Sequence, residues 1–522
     1  MNPNTAELSS AEGTGELAAG LERARPAAQP LAPAVLGPAA RRLARLRADS
    51  ARMTAVRDSW RALWSSRALV WTAGVGTVLA LGYGPQRKAF DPPGVTRGFG
   101  WLGNLLAAPA ARWDAAWYLV IARYGYRPDL GSYTEPRAAF FPLYPLGLRA
   151  VSWLGVPPPA AGVALSVAAL AAALYGIHRL TTLELAGGAR ARRAAHRAGE
   201  DRRAGEVRLA GEASGAGEAS GSEAARLAVM LTAFAPMAFF LSAVYSESLY
   251  LALSVGVFWS ARHGRWRWVG ALGALAAATR SAGLVLALPA LMIYLYGPRE
   301  DRAPDRATVA QGGARGATAA ARAREALRRL QPRYSPRRDL GWLALLPVGV
   351  IAYCLYLGLA GGDPLAPFKA QEDWSRHFAG PFVGVWDGLR AAFEGARQLL
   401  SFQRGHVYFP SAGGDPTIAA SHNLMLFAFL AAAVPAIVGA LRRLPLAYGG
   451  YVLAALALPL SYPVASQPLM SLPRFLLVLF PLSMWLAAWL AERPRLQRPA
   501  LLASGASMAF FLAQFATWHW VA

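Results

Sequence analysis

Asp114 lies in Arg112-Trp113-Asp114-Ala115-Ala116-Trp117-Tyr118-Leu119, an acid among aromatic side chains just beyond the first long apolar run. A carboxylate in that setting can take a proton from a hydroxyl, or it can simply cap a helix spanning Ala115 to Tyr126. Three further groups combine polar residues with apolar surroundings. Tyr245-Ser246-Glu247-Ser248 is a tight turn between two apolar runs, where Ser246 could cap the next helix and Glu247 would be favoured by its dipole. Thr279-Arg280-Ser281 interrupts the apolar stretch 267–296, and a cation inside a membrane segment is a functional-site hypothesis by default. Ser471-Leu472-Pro473-Arg474-Phe475 sets a second arginine at the start of a helix, from which it could also snorkel to lipid headgroups. A looser set, Gln371-Glu372-Asp373-Trp374-Ser375-Arg376-His377, adds another arginine and a histidine beside an aromatic ring.

These residues need a scaffold, and composition indicates its kind. The chain has 522 residues, is 55% hydrophobic and carries 17 Trp, which describes a polytopic membrane protein rather than several soluble domains. A net charge of +23 would ordinarily raise nucleic-acid binding. Here the basic residues lie between apolar runs, where they orient the chain in a bilayer, so no nucleic-acid partner is expected. Apolar runs near 66–84, 160–181, 226–245, 247–262, 340–360, 424–441, 446–461, 473–491 and 499–520 approach the roughly 20 residues that cross hydrocarbon as a helix. The stretch 267–296 is either one over-long helix or two short segments with Arg280 at the turn. Two segments leave more Lys and Arg on the cytoplasmic side. The expected fold is therefore an all-α polytopic transmembrane bundle of about eleven spans, with the N-terminus inside and the C-terminus outside.

Residues 1–65 read as a basic cytoplasmic tail, disordered apart from room for an amphipathic helix near Arg41 to Arg61, with no signal-peptide pattern. Residues 66–522 form the transmembrane domain, interrupted by low-complexity cytoplasmic insertions at 187–224 and 298–338. The outer segments 85–159 and 361–423 are aromatic and Pro-rich, the composition of interfacial helices, and both fall on one face. The single cysteine, Cys354, excludes an intrachain disulfide and a cysteine-rich metal site. The seven histidines show no ligand spacing; His406 and His422 could meet in the outer loop, but two residues do not make a ligand set, and no metal site is expected.

Taken in order, Arg112-Trp113-Asp114, Tyr118-Leu119, Ile121-Ala122, Gly125-Tyr126, Phe140-Phe141-Pro142-Leu143-Tyr144-Pro145, Tyr245-Ser246-Glu247-Ser248-Leu249, Thr279-Arg280-Ser281-Ala282-Gly283 and Pro473-Arg474-Phe475 resemble the conserved blocks of PIG-V-type mannosyltransferases. Those are integral-membrane glycosyltransferases of the GT-C superfamily. The likeness covers roughly 66–296 and 460–490, and it implies transfer of mannose from a polyprenyl-phosphate-mannose donor to a glycolipid or protein acceptor on the outer or lumenal face. Eukaryotic members act in glycosylphosphatidylinositol assembly. The implied membrane is the plasma membrane of a bacterium or the endoplasmic reticulum of a eukaryote.

GT-C enzymes commonly carry an Asp in the first outer loop as general base, and Asp114 is the matching position. A β-linked donor would give an α-linked product by inversion. The leaving group is then a lipid phosphate, for which Arg280 and Arg474 are the best-suited cations, since a guanidinium contacts phosphate oxygens bidentately. Trp113, Tyr118, Glu247, Arg376 and His377 are weaker candidates for substrate binding. No cofactor is implied beyond the lipid-linked donor, and no Asp-x-Asp diad of metal-dependent nucleotide-sugar transferases is present.

A lipid or sugar-lipid flippase or other transporter is the principal rival, since many spans with an intramembrane arginine also fit a translocation path. Against it stand the absence of a detectable inverted repeat and the position of the polar clusters in outer loops. A different GT-C activity would share Asp114 and differ in its acceptor groove.

Overall fold

An apolar run becomes a straight helix only where proline, a buried cation or a close backbone approach does not break it. Those exceptions shape this chain. The structure, a computed structural model, describes residues 38–84, 91–92, 94–126, 137–200, 209–305, 331–402 and 415–521. Among them every regular element is helical, and an isolated β bridge joins Arg376 and Val464.

The first half comprises α1 (Pro38–Leu81), α2 (Gly100–Ala107), α3 (Ala115–Tyr124), α4 (Leu143–Ser152), α5 (Pro158–Glu200), α6 (Leu209–Ala233), α7 (Glu247–Arg262), α8 (Trp266–Thr279) and α9 (Ala287–Tyr296). The second half comprises α10 (Val348–Gly361), α11 (Ala366–Lys369), α12 (Val383–Leu400), α13 (Pro416–Arg443), α14 (Leu446–Leu460), α15 (Leu472–Leu477), α16 (Phe480–Ala491) and α17 (Pro494–Ala516). Among the described residues, four helical stretches are long and apolar enough to cross a membrane: Pro158–Leu185, Arg338–Gly361, Pro416–Arg443 and Pro494–Ala516. The chain is a helical membrane protein. Two compact units divide at Thr54. In the first, residues 38–54 are described and helical; all that follows concerns the second.

Several expected boundaries differ. In the tail, the helix for which there was room near Arg41 to Arg61 starts at Pro38 and runs on without a break to Leu81, and residues 1–37 lie outside the described residues. The insertion at 187–224 is helical over its described residues, 187–200 and 209–224. Of 298–338, residues 306–330 lie outside the description, but its near edge is packed: Arg299 is buried over the rings of Trp266, Tyr294 and Tyr334 and is paired with Asp301.

The run 226–245 does not hold one helix. Pro236 disfavours helical backbone at the residue before it, and α6 ends at Ala233. The buried Arg67 guanidinium donates to the carbonyls of Ala233 at 3.1 Å and Ala238 at 2.9 Å and to Ser242 Oγ at 2.7 Å. It thereby satisfies acceptors that the broken helix leaves open. Likewise 473–491 splits into α15 and α16, with Pro481 in the first turn of the second.

Between 266 and 296 the chain is interrupted at Arg280, whose backbone is extended between α8 and a short 3₁₀ turn, Ser281–Leu286. That turn folds back on α8, and a Cβ at Gly283 would lie 2.3 Å from Ala276 C, so only glycine allows the approach. Another glycine contact docks α12, where a Cβ at Gly384 would sit 2.8 Å from the Leu460 carbonyl oxygen. The opposite face of α12 leaves Trp386, Phe393 and Leu400 exposed.

Away from the cavity described below, Glu184 on α5 is paired with Arg262 on α7 and accepts a hydrogen bond from the Tyr448 hydroxyl on α14 at 2.9 Å. All three are buried. Glu184→Ala is expected to cost about 3–5 kcal/mol by stranding a buried cation, read as a lowered unfolding midpoint of the detergent-solubilised protein.

Candidate functional site

Asp114 immediately precedes α3, where a capping carboxylate would sit, but its side chain makes no cap hydrogen bond. Oδ2 instead accepts from Arg474 Nη1 at 2.8 Å. Ser246 behaves alike before α7: its hydroxyl meets Tyr118 Oη at 2.9 Å and does not cap the helix. The local reading of both residues as caps therefore gives way to long-range contacts. Arg474 does not snorkel either, being 7% exposed.

Glu247, the first residue of α7, accepts from Arg280 Nη1 at 2.9 Å and lies 3.8 Å from Arg474 Nε. Asp114, Arg474, Glu247 and Arg280 thus form a chain of alternating charge. Four elements meet here: the start of α3, the start of α7, the break after α8, and α15. Charges are this far from water only because each has a counter-charge. Aromatic faces complete the packing, with the Arg474 guanidinium over Phe240 and Tyr245 and that of Arg280 over Phe475.

Asp114, Glu247, Arg280 and Arg474 line one cavity of about 690 Å³, together with Tyr118, Trp374, Arg376 and His377. Burial, reinforced by the negative charge of Glu247, pushes the Tyr118 hydroxyl up to about 12, so it stays protonated at neutral pH and can donate. Asp114 Oδ1 has no protein partner among the described residues and remains open to a ligand. Trp374 packs edge-on to Phe140 with centroids 6.0 Å apart, presenting an aromatic wall.

No family model, curated protein or solved structure matches the chain.

Of the weaker sequence candidates, Trp113 is not in the lining. Its backbone is left-handed (φ 56°), and its ring lies edge-on to Trp518 and Trp520 at 5.6 and 5.2 Å. It supports the turn that carries Asp114 rather than facing a ligand. Trp117 stacks near Phe140 at 6.0 Å and is not in the lining either. Among the described residues no group of three or more His, Cys, Asp or Glu could hold a metal ion, and His406 lies outside them.

Tyr245, the first residue of its motif, plays a local part. Its hydroxyl accepts from the Asp114 backbone N–H at 3.1 Å and donates to the Arg112 carbonyl at 3.0 Å, closing the turn around Trp113 from both sides. An aromatic next to a polar turn was the available signal; the partner 131 residues away was not readable. Tyr245→Phe leaves both main-chain groups without their partner, an expected loss of about 1–3 kcal/mol in unfolding free energy, measurable by thermal or denaturant titration in micelles.

Proposed function

We propose that the protein is a membrane glycosyltransferase of the GT-C kind. It would move mannose from a polyprenyl-phosphate-mannose donor to a glycolipid or protein hydroxyl on the outer or lumenal face. Asp114 is the general base. Its Oδ1 takes the proton of the acceptor hydroxyl as that oxygen attacks the anomeric carbon. The bond from that carbon to the phosphate oxygen breaks, its electron pair leaves with the lipid phosphate, and configuration inverts. Arg474 and Arg280 stabilise the charge that develops on the leaving group, and Tyr118 and Trp374 hold the sugar. In this reading the chain crosses the membrane about eleven times, with Arg280 between two short segments and the cavity on the outer side.

The observation that carries the reading is the convergence, in one cavity, of the carboxylate and both arginines singled out from distant stretches of sequence. The likeness of the sequence blocks to PIG-V-type enzymes supplies the sugar and the donor.

The test is transfer of label from radiolabelled polyprenyl-phosphate-mannose into lipid or protein products by membranes carrying the chain. Product formed by wild-type membranes and absent from control membranes is the expected result. Label crossing sealed vesicles as intact donor, without any product, would instead make the chain a transporter.

A further inference from the structure

Among the described residues the cavity holds three arginines, and its ion pairs occupy two of them. Arg280 is matched by Glu247 at 2.9 Å and Arg474 by Asp114 at 2.8 Å. Arg376 makes no ion pair among the described residues. Its Nη1 donates to the Tyr462 carbonyl at 3.2 Å and its Nη2 to the Met470 carbonyl at 3.3 Å. Those neutral acceptors fix the orientation of the guanidinium fork without cancelling its charge. The Arg376 main chain is also held, by its bridge to Val464. Glu372 shares the cavity wall but does not pair with it.

The electrostatics agree with this geometry. Burial first, then the positive charge of Arg474, pull the Arg376 guanidinium down to about 10; Asp114 acts in the opposite sense and Arg280 adds to the lowering. A cation that is oriented, partly desolvated and short of counter-charge gains most from an arriving anion. Arg280 and Arg474 would have to share their carboxylates first.

We propose that Arg376 is the residue that captures the phosphate of an anionic ligand entering this cavity, ahead of the two ion-paired arginines. The chemistry, a phosphate oxyanion on a planar guanidinium, is common to a lipid phosphate and to free phosphate. Its assignment to a lipid phosphate rests on the transferase reading, and the test separates the two.

Binding is followed through the fluorescence of the detergent-solubilised full-length chain, since Trp374 and Trp520 line the cavity. The probes are farnesyl phosphate, uncharged farnesol and inorganic phosphate. Farnesyl phosphate is expected to saturate the wild type and to bind at least tenfold more weakly to Arg376→Gln, while farnesol distinguishes the two proteins by less than twofold. Equal farnesyl phosphate affinity for both proteins would overturn the proposal and leave the transferase reading standing. Inorganic phosphate binding that is weakened by the substitution, with no response to farnesyl phosphate, would keep the anion site and remove the lipid donor.

A second measurement needs no variant. Phenylglyoxal, which modifies accessible arginines, should label the peptide containing Arg376 before those containing Arg280 and Arg474. Farnesyl phosphate should suppress that label at least fivefold, and farnesol should not. Unprotected modification of Arg376 at saturating farnesyl phosphate would overturn the proposal.

Discussion

On the proposed transferase reading, Asp114→Asn is expected to lower the transfer rate by about 10²–10⁴-fold, the range over which positioned general bases act. The replacement is nearly isosteric, and the asparagine carbonyl can still accept the Arg474 hydrogen bond, so the cavity retains its shape. What is lost is the ability of Oδ1 to hold a proton. The measurement is initial velocity at saturating donor, with detergent-stable protein quantified by size-exclusion chromatography. Retention of more than a tenth of wild-type velocity by the folded variant would remove Asp114 from the role of base.

Arg474→Gln should act on both rate and stability. Among the described residues Arg474 is the one link between Asp114 and Glu247 in the charge chain, and its removal leaves them with a single ion pair, Glu247 to Arg280. Stranding a buried charge costs about 3–5 kcal/mol. Losing an oriented donor at a developing oxyanion lowers kcat by about 10²–10³-fold. Arg474→Lys should recover most of the stability and less of the rate, because an ammonium restores charge but not the planar fork. Unfolding midpoints and kcat of the two variants, compared side by side, check this. A lysine variant equal to wild type in both would show that charge alone suffices.

The polar groups of the site were legible because each is expensive where it stands. An arginine interrupting an apolar run and a carboxylate beside membrane-level aromatics need a reason to be there. Their partners were not legible. Asp114 and Arg474 are 360 residues apart, and within its own stretch each had an adequate local explanation, a cap in one case and a snorkelling side chain in the other. The structure sets those local explanations aside because a buried counter-charge outweighs a cap of about 1 kcal/mol. Trp113 misled for a related reason: composition marks an aromatic as near the site, and only its left-handed backbone shows that the ring turns toward Trp518 and Trp520.

The all-helical architecture was readable from apolar run length, whereas the helix ends were less so. Hydropathy averages over a window and passes smoothly across Ala233 and Val478, where the helices stop. At the first of these Pro236 was a visible signal, but the compensating cation, Arg67, comes from another helix.

The alternating charge chain also bears on how the protein is made. Asp114, Glu247 and Arg280 are all synthesised long before α15, and until Arg474 arrives they carry one more negative than positive group. A product that ends after Glu247 and before Arg474 therefore keeps an uncompensated carboxylate. Such a product differs from the full-length chain by an unmatched charge, which the chain neutralises only in roughly its last tenth. Biogenesis factors that survey membrane segments for exposed polar groups would need no other cue to tell the two apart.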